Sequence, residues 1–229
     1  MEEGKYWGTD KGVPQGGSIS PILANVYLHY VIDMWFTEFV KKRLRGEGHM
    51  VRYADDVVLC FQYKEDARAV YEALKQRLAK FGLELSEEKS SIIKFGRFAG
   101  KEAGRFDFLG FTFVTSKSRN GKYMVVKVTS QKKLKVKKQK VKMWLKDNMH
   151  MPVGKLIERL NLKLRGHYNY YGLSHNLKRM QNFYQYVERQ LKLKLSRRSQ
   201  KGKITWEKLE KILSYNPLLR PFITRPLWS

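Results

Sequence analysis

The chain has 229 residues, with 46 Lys+Arg against 21 Asp+Glu, for a net charge of +25. An apolar fraction of 42% supports a packed core and argues against wholesale disorder. No apolar run approaches the ~20 residues of a membrane span, and Met1-Glu2-Glu3-Gly4 lacks the basic and apolar regions of a secretory signal. The single cysteine, Cys60, excludes an internal disulfide or a Cys-rich zinc site and fits a reducing, intracellular compartment. So large a cationic excess resists compaction unless a polyanion screens it, which makes nucleic acid a better partner than a membrane surface.

Residues 1–19 read as loop, with three glycines and a proline in Lys11-Gly12-Val13-Pro14-Gln15-Gly16-Gly17-Ser18. Ser20-Pro21 supplies a helix cap followed by proline at the first helical position. The chain is then helix-compatible and strongly apolar from Ile22 to about Leu44, until Arg45-Gly46-Glu47-Gly48 ends it. Val51 to Phe61 reads as a β-hairpin with Asp55 and Asp56 at its tip.

An amphipathic helix follows over 64–81, with Ala67, Val70, Tyr71, Leu74, Leu78 and Phe81 at helical spacing and Gly82 as its stop. Leu83-Glu84-Leu85 and Ser91 to Phe95 suggest short strands around the charged turn Glu87-Glu88-Lys89. Phe106 to Val114 is a strand run, Asn120-Gly121 a turn, and Tyr123 to Val128 a returning strand. Strands and helices therefore interleave around one sheet up to about residue 128.

The composition then changes. Lys127 to Lys146 holds nine lysines and no acid. Four helices are expected beyond it: from Ser130 to near Lys146, from Val153 to Tyr171, from Asn176 to about Arg198, and from Ile204 to Leu213. The fold class is α+β, with a break near residue 129.

Three stretches carry chemistry. Gly16 and Gly17 allow close backbone approach to a ligand, and the following helix offers its N-terminal amides to a phosphate. Asp55 and Asp56 are adjacent acids between apolar runs. Successive strand side chains point to opposite faces, so the two share a target only if a turn intervenes. Lys89 follows in a turn, and an aromatic strand and a basic helical region come next. Phosphoryl transfer uses such parts: carboxylates hold two Mg²⁺ ions about 3.5–4 Å apart, amides position substrate, and a lysine neutralises the departing phosphate.

In this order the motifs resemble those of group II intron reverse transcriptases, or maturases. Gly12 to Leu28 (GVPQGGSISPILANVYL) resembles motif B, and Arg52-Tyr53-Ala54-Asp55-Asp56 resembles motif C. Gly82 to Ser90 is similar to motif D with its lysine, and Phe106 to Phe113 (FDFLGFTF) to the primer-gripping block that ends the palm. Leu164 to Tyr171 (LRGHYNYY) resembles the hallmark of the maturase, or thumb, domain, except that His167 stands where tryptophan is usual.

The resemblance implies a partial reverse-transcriptase palm over 1–128 and a helical thumb/maturase domain over 129–229. It implies an RNA-directed DNA polymerase with a role in intron splicing and mobility. Asp55 and Asp56 would bind Mg²⁺, with Asp55 the principal ligand, and Lys89 would act near the leaving pyrophosphate. Gln15, Gly16, Gly17, Tyr53 and Ala54 would contact template or nucleotide, and Leu109, Gly110 and Phe111 would grip the primer. Intron RNA, an RNA template and a DNA primer are the implied partners. Lys132, Lys133, Lys135, Lys137, Lys138, Lys140 and Lys142, with Arg165, Tyr168 and Tyr170, are the expected RNA-binding residues. Cations bind the backbone, and aromatics stack on unpaired bases.

Motif A, which carries another metal-binding aspartate in this family, has no counterpart here. Asp10 lies in the entry loop and Asp33 on the long helix. The two-metal site is expected to be incomplete in this chain, with fingers and motif A supplied elsewhere on the original chain or by a separate polypeptide. A non-catalytic intron-binding maturase and an inactive remnant are the alternative readings.

Overall fold

A computed structural model describes residues 17–118, 120–198 and 203–226, and its elements make an α+β protein. The chain packs as two units, Met1–Ile92 and Ile93–Ser229. The expected contacts of Gln15 and Gly16 lie outside the described residues.

In the first unit, α1 (Ser20–Leu28) carries Pro21 in its first turn, and Ile19 rather than Ser20 is its N-cap. The helical path continues through π-type turns at His29–Met34 and Phe36–Val40 and a 3₁₀ turn at Lys41–Arg43. Widened turns rotate the apolar stripe. None of α1 is buried, whereas Val31, Ile32, Phe36 and Val40 all are. The Arg77 Nε donates to the Val31 carbonyl at 3.2 Å, giving a partner to a backbone group within a π-type turn.

The antiparallel strands β1 (Gly48–Tyr53) and β2 (Asp56–Phe61) pair from Gly48↔Phe61 to Tyr53↔Asp56. Helix α2 (Lys64–Lys80) presents Val70, Leu74 and Leu78 to the π-type turns and the hairpin. Buried Asp66 lies on the same stripe and accepts the Arg45 amide at 3.1 Å. Gly82, at φ +66°, ends the helix in a conformation suited to glycine. The expected strands at 83–85 and 91–95 do not form. Leu83 and Leu85 still pack on the cluster around Val31, but no described strand pairs with them, and Glu87–Lys89 is a 3₁₀ turn.

The second unit begins with a three-stranded antiparallel sheet, β3 (Arg105–Phe108), β4 (Phe111–Lys117) and β5 (Tyr123–Thr129), in sequence order. The single strand expected over 106–114 is two strands, split by a Leu109-Gly110 turn. The described strands therefore make two sheets rather than one. Four helices follow: α3 (Gln131–Asp147), α4 (Val153–Tyr171), α5 (Leu177–Ser196) and α6 (Trp206–Tyr215).

These helices surround one core. Leu134, Val141 and Leu145 from α3 meet Leu156, Ile157, Leu160 and Leu164 from α4 and Met180, Phe183, Val187, Leu191 and Leu195 from α5. Each such side chain contributes roughly 1.5–3 kcal/mol by leaving water. No described helix is long and apolar enough to cross a membrane.

Candidate catalytic hairpin and nucleic-acid surface

The β1–β2 connection has only two residues, Ala54 and Asp55. Ala54 has φ +52°, and Asp55 is not among the positive-φ residues. That sign pattern matches a II′ turn, whose first position normally takes glycine. Alanine there costs on the order of 1 kcal/mol, so the surroundings must hold it.

Arg52 does the holding. It lies on the core-facing side of β1, and its Nε and Nη2 bind the two oxygens of Asp33 at 2.7 and 2.6 Å. Its Nη1 donates to the Asn25 Oδ1 at 3.0 Å and to the Ala54 carbonyl at 2.9 Å. One guanidinium thus joins α1, the π-type turn after it and the strained turn. The bidentate geometry suits Arg and cannot be reproduced by Lys. The Arg52 hydrogen bond holds Asp33 below its ordinary pKa, against the opposing effect of burial and with help from His29. This clamp was not anticipated in the sequence. Its signal was a charge at an inward-alternating strand position, between Met50 and Ala54.

The clamp leaves the acids uncommitted. Asp55 and Asp56 are exposed, and neither forms a hydrogen bond through its carboxylate or an ion pair with another described residue. Tyr53, 65% exposed, pairs with Asp56 across the strands. Tyr53, Ala54, Asp55 and Asp56 are therefore brought together at one tip. Two free carboxylates on a fixed turn are suitable hard oxygen donors for Mg²⁺. They supply only part of its coordination, because no group of three or more possible ligands occurs among the described residues.

Lys89 is exposed on its 3₁₀ turn, beside Glu87, which pairs with Lys75. It makes no hydrogen bond or ion pair with the tip among the described residues. Gly17 opens the described chain, and its carbonyl accepts the Ser20 amide at 3.1 Å.

In the second unit the Leu109-Gly110 turn has φ +49° and +80°, the pattern of a I′ hairpin. The Leu109 carbonyl accepts the Tyr170 hydroxyl at 2.7 Å, and the Gly110 carbonyl accepts the Ser130 amide at 2.9 Å. A Cβ on Gly110 would stand 2.8 Å from the Tyr171 Oη. Phe111 stacks on Tyr170, with 5.5 Å between ring centroids. Buried Asn176 closes the arrangement by accepting the Thr129 amide at 2.8 Å and donating to Tyr171 and Thr129. The Ser130 hydroxyl donates to Asp107 at 2.7 Å rather than capping α3.

Of the expected RNA-binding residues, Lys132, Lys133, Lys135, Lys140, Lys142 and Arg165 are exposed, and Lys137 and Lys138 are half-buried. Tyr170 is exposed, with its hydroxyl and stacked ring engaged by the turn. Tyr168 departs from expectation: at 0% exposure its ring offers no face to a base, and it serves the core. Neighbouring His167 packs 4.3 Å from the Phe183 ring and 4.8 Å from Tyr171. Neither imidazole nitrogen has a hydrogen-bond partner among the described residues. Burial, and secondarily the charge of Lys137, push its pKa down to about 4.

The reverse transcriptase (RNA-dependent DNA polymerase) family model matches residues 2–113, and the group II intron maturase-specific domain matches residues 134–213. Together the two matches support a group II intron reverse transcriptase/maturase. The chain is 27% identical, over an alignment 282 positions long with its gaps, to the group II intron-encoded protein LtrA of Lactococcus lactis subsp. cremoris, and equally to that of strain MG1363. The alignments cover 90% of this chain and 46% of each relative, so the chain spans just under half their length. The reverse-transcriptase match contains both the Arg52 clamp and the Leu109-Gly110 turn, and the maturase match contains the helical core.

Proposed function

We propose that this chain is the palm-and-thumb portion of a group II intron RNA-directed DNA polymerase that works inside the cell with intron RNA, an RNA template and a DNA primer. The observation that carries the reading is the Arg52-clamped turn, which presents Asp55 and Asp56 with no competing partner among the described residues. Asp55 and Asp56 would hold Mg²⁺, which when bound would neutralise charge on the attacking and leaving oxygens.

Tyr53 and Ala54 border the nucleotide, together with Gln15, Gly16 and Gly17. Lys89 serves the departing pyrophosphate, and Leu109, Gly110 and Phe111 support the primer. Lys132 to Lys142 and Arg165 hold the RNA backbone. The palm would extend to about residue 128 and the thumb/maturase domain from 129. Further carboxylate and fingers residues come from polypeptide outside the described residues, on the same or a separate chain. The uncovered apolar side of α1, with Ile22, Leu23 and Val26 exposed, suits such a protein contact.

A non-catalytic role in folding intron RNA is the second reading, favoured by the two-carboxylate limit of the described site. Mg²⁺-dependent primer extension separates the two. The 229-residue chain alone should not extend a primer. It should do so when supplemented with the fingers and motif A polypeptide, and Asp55→Asn should abolish that activity. No extension after supplementation would favour the non-catalytic reading. Robust extension by the chain alone, lost in Asp55→Asn, would overturn the need for another polypeptide.

A further inference from the structure

The maturase-type helices carry a feature that the lysine run alone does not explain. Trp144 is half-exposed on α3, one turn beyond Lys140 and two beyond Lys137. On α4, Arg159 and Lys163 are exposed one turn apart, with Leu162, 63% exposed, beside them. Trp144, Arg159, Leu162 and Lys163 line one shallow depression, and the Lys163 Nζ lies 4.9 Å from the centre of the Trp144 ring. Lys137 feels burial first and then the charges of Lys163 and Lys140, so the cations of both helices converge there. Glu158 and Asp147 lie one turn away along the helices, but neither forms an ion pair with these cations.

We propose that this depression is a subsite for one unpaired RNA nucleotide, with the base on Trp144 and the adjacent phosphates held by Lys137, Arg159 and Lys163. This rests on the RNA-binding reading above and specifies where a base, rather than the backbone alone, is read. Lys163 covers the accessible ring in the free protein. An exposed cation–π contact of this kind is worth about two- to fivefold in an equilibrium. A stacked base is worth about five- to a hundredfold. The exchange therefore favours the base, and it frees the Lys163 ammonium to meet a phosphate. A duplex, whose bases are already stacked on one another, cannot make this contact.

The test uses the full chain and three labelled probes: a twelve-nucleotide oligouridylate, an abasic ribose-phosphate strand of the same length, and a twelve-base-pair RNA duplex. Wild type should bind the oligouridylate at least fivefold more tightly than the abasic strand. Trp144→Leu, which keeps the apolar contact with the core, should erase most of that difference and leave duplex binding within twofold. Arg159→Gln with Lys163→Gln, both at exposed positions, should weaken all three probes and flatten the salt dependence by roughly one to two in log–log slope.

Equal binding of oligouridylate and abasic strand by wild type overturns the subsite even if Trp144→Leu does not fold. So does a Trp144→Leu effect equal on all probes. If the charge variants still weaken binding in those cases, the general RNA-binding reading stands without the subsite. If they too leave binding unchanged, the convergence of cations at this depression has no role in RNA binding.

Discussion

Two tight turns in this molecule use the same device for opposite purposes. At Ala54-Asp55 and at Leu109-Gly110 a non-glycine residue sits at positive φ, and in each case its carbonyl accepts a side-chain hydrogen bond. At the first turn the donor is Arg52, itself fixed by Asp33 and Asn25, and the neighbouring carboxylates have no partner among the described residues. At the second turn the donor is Tyr170. There the surroundings fill completely: Tyr171 lies against Gly110, Phe111 stacks on Tyr170, and Asn176 satisfies the backbone nearby. One turn is tied from behind and open in front, as a site that binds ions and substrate requires. The other is tied on several sides, as a support requires.

The comparison can be broken most sharply through activity. In the supplemented polymerase assay Asp55→Asn should cost a thousandfold or more, on the order of 4 kcal/mol of barrier. Gly110→Ala should reduce activity far less, because it perturbs a support rather than a metal ligand. Comparable losses would refute the division of roles.

Acid should separate the two units next. His167 has an ordinary pKa of 6.5 and about 4 in the fold. The unfolded chain therefore takes up a proton below 6.5 that the folded chain refuses. Stability contributed by the neutral, buried imidazole is complete above 6.5 and is lost progressively between 6.5 and 4, by on the order of 3 kcal/mol. His167→Phe should flatten that dependence in thermal melts of the chain. The Asp33 carboxylate behaves differently. Its depressed pKa contributes stability that is present above the ordinary 3.8 and lost as pH falls through the lower folded value. Acid titration followed by residue-resolved hydrogen exchange should therefore open α4 and α5 before the β1–β2 hairpin. The reverse order would contradict both assignments.

Backbone variants sharpen the contrast further. Gly110→Ala meets the Tyr171 hydroxyl at 2.8 Å at a φ unfavourable to alanine, and should destabilise by about 1–3 kcal/mol. Ala54→Gly relieves the same kind of strain in open surroundings and should be neutral or mildly stabilising. Chemical denaturation of each variant reads both values. Arg52→Lys falls between them, at about 1–2 kcal/mol, since it keeps a charge near Asp33 but loses the fork that reaches Ala54. The smallest loss among the destabilising variants should come from Tyr170→Phe, about 1 kcal/mol for one hydrogen bond to Leu109.

The chain's own order of residues made much of this legible. Helical spacing located α2, α4 and α5 to within a few residues, because apolar stripes such as Val70, Leu74 and Leu78 must face a core wherever that core lies. The acids at the hairpin tip were visible because strand alternation and a two-residue loop are local properties. Other features were not legible. Leu109-Gly110 sits inside a continuous aromatic run, so periodicity alone joined two strands into one. Tyr168 and Tyr170 read alike as aromatic RNA contacts, yet one is buried and the other exposed.

The sequence by itself determined most of the helices, the family resemblance and the pair of acids, because these depend on residue type and spacing along the chain. Only the tertiary structure decided which groups hold those acids in place. Arg52 meets Asp33 across 19 positions, and Tyr170 meets Leu109 across 61. No local pattern encodes partners so far apart; they are selected when helices and hairpins pack and each inward polar group must find a partner or lose stability.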